Sequence, residues 1–284
     1  MSPRRIRRAI PAKSAALVSG ALLAVSGAAF AETPNPLPEW YYSQGHLLEE
    51  HMREGEAPKW SRVVGLSVDT QPKYEGGNAY STSGGPSFDL RYRDIAFAST
   101  GEGFGVNLLR SRNYRAGFAL TYDLGRDQDA DHHLQGLGDV GISPEARAFA
   151  EYLLFPVTLR IDVRHSFGGQ GGWVGDISAY SPLAGSKKYF VFAGPSLSFA
   201  NGNNQKHYFG ISEHQSFESG YPQYHASAGI RSGSFGVSAG YFITEHWLVT
   251  GMVAAEQLLG PSGHSPLVQE QGQLTGTFTT AYRW

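Results

Sequence analysis

The 284 residues contain no cysteine, which excludes disulfides, haem thiolates, Cys-ligated zinc and a lipid-modified N-terminal cysteine. Beyond residue 31 there is also no apolar run near the roughly 20 residues that a membrane-spanning helix needs. Phosphate-binding glycine loops, nucleophile elbows and helical His-Glu zinc motifs are missing too. Basic excess is the last absence. Arg4, Arg5, Arg7, Arg8 and Lys13 stand before an Ala-rich run, Ala15 to Ala29, closed by Ala29-Phe30-Ala31. That pattern reads as a secretory signal over residues 1–31, since the run is short and broken by Ser19, Gly20, Ser26 and Gly27. Without it the 23 basic residues fall to 18 against 25 acidic ones, which argues against nucleic acid as a partner.

What is present is alternation, with 36 glycines and 13% aromatics to shape and girdle it. In the last twelve residues Leu274, Gly276, Phe278, Thr280, Tyr282 and Trp284 share one face, and Gln273, Thr275, Thr277, Thr279, Ala281 and Arg283 the other. One face suits lipid and the other water, and the chain ends on an aromatic residue, as the closing strand of an outer-membrane barrel does. The same period of two in Val157-Thr-Leu-Arg-Ile-Asp-Val-Arg164 puts Val157, Leu159, Ile161 and Val163 outside.

The expected fold is therefore an all-β, antiparallel transmembrane barrel of about twelve strands over residues 60–284. The strands are expected at 60–71, 86–93, 95–100, 103–110, 114–124, 140–152, 156–167, 174–183, 188–200, 228–242, 246–257 and 273–284. Short connections then fall at one end and four long loops at the other, the parity expected of periplasmic turns and outer loops. Residues 144–154 fit a helical period as well and are read as strand because their neighbours are strands. Residues 32–59 do not alternate, and the expectation for them stays open between a disordered leader, a plug and a periplasmic contact segment.

Inward positions carry both signs of charge: Arg115, Asp123, Glu145, Arg147, Glu151, Arg160, Asp162 and Arg164. In a barrel of this size they read as a paired, filled interior rather than a selective channel. Asp127-Gln-Asp-Ala-Asp131 with His132 and His133 invites a calcium reading, but the sixth and twelfth loop positions are His132 and Gly138 instead of Gly and Glu. A solvated acidic turn is expected there, with weak divalent-cation contact at the outer surface as the alternative, and no built metal site or cofactor. His225-Ala226-Ser227 has the His-x-Ser spacing of outer-membrane lipid hydrolases and lies at the start of an expected strand. No signal for a group orienting the histidine accompanies it, so no catalytic residue is assigned.

Eight short blocks in order carry a resemblance: Pro72-x-Tyr74-x-Gly76, Gly105-Val-Asn-Leu-Leu109, Tyr122-Asp-Leu-Gly-Arg126, Gly136-Leu-Gly-Asp139, Gly194-Pro-Ser196, Tyr208-Phe-Gly-Ile-Ser212 with Gln215-Ser216, Glu245-His-Trp247 and Ser265-Pro-Leu-Val268. From about Val63 to Trp284 the chain resembles the MipA/OmpV family, the MltA-interacting proteins of Gram-negative outer membranes. The resemblance implies a non-enzymatic outer-membrane barrel that brings a murein hydrolase, a lytic transglycosylase, together with a murein synthase. Other members imply a porin-like small-solute channel or an adhesive surface protein. The chain departs from the family in ending on Trp284 rather than Phe and in its longer leader.

Overall fold

The computed structural model describes residues 47, 48, 51, 58–168 and 171–284. The expected signal and most of 32–59 lie outside the described residues. Twelve antiparallel strands close into one barrel, each paired with its sequence neighbours and the last with the first. They are β1 Trp60–Pro72, β2 Tyr80–Tyr92, β3 Ala96–Ser99, β4 Gly103–Ser111, β5 Tyr114–Asp123, β6 Ser143–Leu154, β7 Val157–Ser166, β8 Trp173–Gly185, β9 Tyr189–Ala200, β10 Gly229–Phe242, β11 Trp247–Leu258 and β12 Gly272–Arg283. Closure runs from Val63 opposite Arg283 to Thr70 opposite Gly276.

The alternation sorts as its chemistry demands. On β7, Leu159, Ile161 and Val163 are exposed while Thr158, Arg160, Asp162 and Arg164 are buried. Exposed Leu66, Val68, Phe104, Phe118, Leu120, Ile161, Ile177, Val253 and Phe278 form the outer surface. Water does not tolerate so continuous an apolar surface on a monomer, and hydrocarbon does. Trp60, Tyr92, Tyr114, Tyr152, Tyr189, Tyr241, Trp247 and Trp284 ring the end that carries the short turns. Aromatic rings of this kind mark a membrane–water interface.

Connections 93–95, 112–113, 155–156, 186–188 and 243–246 occupy that end. Connections 73–79, 100–102, 124–142, 167–172, 201–228 and 259–271 occupy the other. Residues 144–154 are strand, as read from their neighbours. Two boundaries move by three residues or more. β2 begins at Tyr80 rather than 86, because Ser81 to Gly85 offer little apolar contrast yet stay paired with β1. β6 begins at Ser143 rather than 140, with Val140 held only by an isolated bridge to Arg126.

The long loops are folded. Within 201–228 lie α1 Gly202–Phe209, capped by Asn201, and α2 Glu213–Ser219, whose Ser212 and Gln215 form a reciprocal capping box. A single turn, α3 Gly260–Gly263, sits in 259–271. Two apolar clusters knit these loops into a cap over the outer mouth: Tyr74, Leu134, Leu137, Ile211 and Leu267 in one, Val140, Tyr208, Phe209, Ala226 and Leu258 in the other.

Candidate functional site

Any function of the interior must pass through the lumen, and alternation places charged side chains there from facing strands. All eight inward charges expected from the sequence are buried. Six of them, Arg115, Arg147, Glu151, Arg160, Asp162 and Arg164, join Asp89, Arg91, Glu102 and Asp176 in a network spanning β2 to β8, while Glu145 accepts from Ser166 at 2.6 Å and Asp123 from Tyr208. Glu151 accepts from Arg115 at 2.6 and 3.1 Å and from Arg160 at 2.5 Å. Arg160 also reaches Asp162 at 3.2 Å, and Arg164 donates to Asp176 at 2.6 Å. Glu102, at the tip of the β3–β4 connection, turns inward onto Arg91 and stands 3.5 to 3.7 Å from Arg160, Arg115 and Arg147.

Phe149 sits among these cations, its ring centroid 5.2 to 5.9 Å from the guanidinium carbons of Arg147, Arg160 and Arg115. Five arginines, Arg91, Arg115, Arg147, Arg160 and Arg164, thus stand among five carboxylates, Asp89, Glu102, Glu151, Asp162 and Asp176. Balance of this kind stiffens a wall and fills its interior.

The opposite side of the lumen is apolar lower down, where Tyr180, Phe192, Met252 and Ala254 form a buried cluster. Helical Leu48 packs against it, and the adjacent Leu47 is fully buried. His51 bonds Asn113 at 2.9 Å and stacks on Phe155, both in short turns. Leu47, Leu48 and His51 therefore lie at the end of the barrel that carries the short turns.

The outer mouth is tied down by polar contacts. Arg231 on β10 is fully buried, pairs with Glu75 of the first loop and donates to Asn204 of α1 at 2.5 Å. Tyr208 donates to Asp123 at 2.6 Å, while Arg126 donates to the Tyr208 carbonyl at 2.8 Å. Burial and the Asp123 carboxylate push the Tyr208 hydroxyl well above its ordinary pKa, so it stays a donor. Burial lowers Arg126 by more than the nearby Asp139 and Glu75 carboxylates raise it.

The remaining sequence candidates fall outside the lumen. His225 and Ser227 are not at the start of a strand, since β10 begins at Gly229. Both are exposed in an irregular loop, so the shared-face argument for the pair lapses. Asp131 does meet both histidines, at 2.9 Å from His133 Nδ1 and 3.2 Å from His132 Nδ1. Its carboxylate also caps the 3-10 turn His132–Leu134. These are not the oxygen donors of a calcium loop.

Sequence reasoning missed Glu102, Asp89, Arg91, Asp176 and the Arg231–Glu75 pair. Asp89, Arg91 and Asp176 lie at inward parity on their strands and were legible by the same period. Glu102 lies in a turn and Glu75 in a loop, where no period applies. The Ser212-x-x-Gln215 signature was a legible sign of α2.

A search of curated proteins finds no match. Solved structures similar to the chain include the N-terminal β-barrel domain of Pseudomonas aeruginosa OprF, at 12% identity over 61% of this chain and 96% of that one, with a TM-score of 0.26. Others are outer-membrane expressed OmpT of Vibrio cholerae, at 7% over 82% and 100% with 0.36, and the NanC porin, at 8% over 79% and 100% with 0.41. These likenesses say nothing of function. The family model of MltA-interacting protein MipA matches residues 64–284, the whole barrel but for its first few residues. This outer-membrane barrel belongs to the MipA family.

Proposed function

We propose that this barrel neither conducts nor catalyses, and acts as a scaffold whose periplasmic face holds a murein hydrolase and a murein synthase together. The observation that carries the reading is the obstructed lumen, crossed by the charge network on one side and occupied by Leu47 and Leu48 on the other. The family's name, MltA-interacting protein, supplies the partner class. In this reading residues 32–59 act as a plug anchored through Leu47, Leu48 and His51, and the rest of the leader meets the partners beside the short turns.

Co-purification of murein enzymes with the full barrel, and with a variant lacking residues 32–59, tests it. The expected result is capture by the full chain and weak capture by the variant. Equal capture moves the contact to the short turns, and no capture by either removes the scaffold. In planar bilayers the full chain is expected to be silent, and stepwise conductance would favour a small-solute channel instead. A lipid esterase or deacylase activity lost in Ser227→Ala would revive the hydrolase reading.

A further inference from the structure

The barrel wall is not of even height. β3 has four residues and β4 begins at Gly103, whereas β2 runs thirteen residues. β3 pairs with β2 only from Asp89 to Tyr92, extended by mutual bonds between Phe88 and Thr100. Above that row, β2 from Ser81 to Ser87 has β1 on one side. On its other side, among the described residues, there is no strand until β5, whose Thr121 to Asp123 rise above the last β4 pair, Phe104 with Leu120. Three strand spacings of about 4.8 Å separate β2 from β5, so the gap is about 14 Å wide.

The gap is built into the sequence. Phe88 turns its N–H and C=O toward β3, so by the alternation of an antiparallel ladder Pro86, Gly84 and Thr82 do the same. Proline has no N–H to offer a neighbour and belongs on a free edge. The low hairpin is held down twice. Glu102 is drawn into the arginine network, and Gly103 takes φ +77° where a Cβ would stand 2.2 Å from the Leu120 carbonyl oxygen.

The gap also lies at membrane depth. Gly84 pairs with Val68 and Pro86 with Leu66, both exposed lipid-facing residues, and Leu120 is exposed on the far side. Tyr80 and Tyr122 flank it above, and Phe104 forms its sill. Behind it, between the charge network and the outer cap, the lumen leaves a chamber. A Cβ at Gly85 would meet nothing within 4 Å, and the inward Asp69, Ser81, Ser83, Thr275 and Thr277 retain partial exposure. Among the described residues no strand across the gap meets the backbone groups of Thr82 and Gly84 that face it, and hydrocarbon offers them no hydrogen bond.

We propose that this gap is a lateral portal joining an upper polar chamber to the outer leaflet, and that it takes a single-tailed amphiphile. The head group supplies hydrogen bonds to the Thr82–Gly84 edge and to the Ser and Thr hydroxyls behind it. The tail stays in the bilayer along Phe104 and Leu120. The site is independent of the periplasmic partners proposed above, since it occupies the opposite half of the barrel.

The lack of native cysteine makes the test clean. Gly85→Cys and, as a control on a continuously paired wall, Ser234→Cys are each labelled with bimane in the full chain and reconstituted in liposomes. Correct folding is checked by heat-modifiable migration. A lysophosphatidylcholine spin-labelled near the head of its chain is the lipid quencher, and iodide is the aqueous one. Saturable quenching of position 85 by the lysolipid, with position 234 unaffected, is expected. Quenching of position 85 by iodide alone would make the chamber open only to water, and quenching by neither reagent would show the edge covered. Either result overturns the portal.

Discussion

Removing Glu151 is the sharpest perturbation of the filled lumen. Its carboxylate is buried and accepts three charge-assisted bonds, two from Arg115 and one from Arg160. In Glu151→Ala, Arg115 keeps only Glu102 at 3.7 Å, and Arg160 keeps Asp162 at 3.2 Å and Glu102 at 3.5 Å. Two guanidiniums are then left under-compensated in a closed wall. Breaking a buried pair from one side costs about 3–5 kcal/mol, against about 0–1 kcal/mol for an exposed pair. With a urea slope of about 2–3 kcal/mol per molar for a chain of this size, the midpoint should fall by about 1–2.5 M. Glu151→Gln keeps the shape and one of the two acceptor oxygens and should lie between wild type and Ala. Urea unfolding in detergent, followed by tryptophan fluorescence and by heat-modifiable migration, reads these shifts, with exposed Glu245→Ala as control. A Glu151→Ala midpoint within about 0.3 M of that control would mean water already solvates the arginines. The filled-lumen argument would then fail.

Arg231→Ala should free the outer cap without touching the wall. Loss of the Glu75 and Asn204 contacts should speed hydrogen exchange in residues 74–77 and 202–209 about 100-fold or more, with strand amides unchanged. Gly103→Ala should cost at least about 1–2 kcal/mol from the left-handed backbone alone, beyond its clash with Leu120, and should lower the yield of folded barrel. Asp131 gives a pH signature. Burial raises its carboxyl pKa, but the His133 backbone N–H and ring and the nearby His132 outweigh burial and hold it below the ordinary value. A lowered folded pKa adds stability above the unfolded value of about 3.9 and loses it as pH falls through the folded value. Exchange in residues 124–142 should therefore rise below about pH 4, and Asp131→Asn should abolish that step.

Strand existence was legible because alternation is local. A half-lipid, half-lumen strand must repeat every two residues, and β7 and β12 do so without a break. The same period marked Arg115, Arg147, Glu151, Arg160, Asp162 and Arg164 as inward. It failed at Ser81 to Gly85, where outward Thr82 and Gly84 carry no apolar signal, and it set His225 and Ser227 at the start of a strand that begins only at Gly229. Of the helices of the longest loop, α1 was passed over because its burial comes from packing under other loops rather than from an apolar stripe of its own, and α2 because it buries no residue at all.

By itself the sequence determined which residues face lipid and which face the axis, and hence that the chain closes into a barrel with charge inside. Only the tertiary structure decided which charges meet. Glu102 finds arginines on β2, β5, β6 and β7, and Arg231 finds Glu75 from 156 positions away. Those distances depend on strand stagger and on where each hairpin stops. The uneven wall above β3 follows from the same cause, because a strand's height is set by its turns and by what anchors them across the lumen.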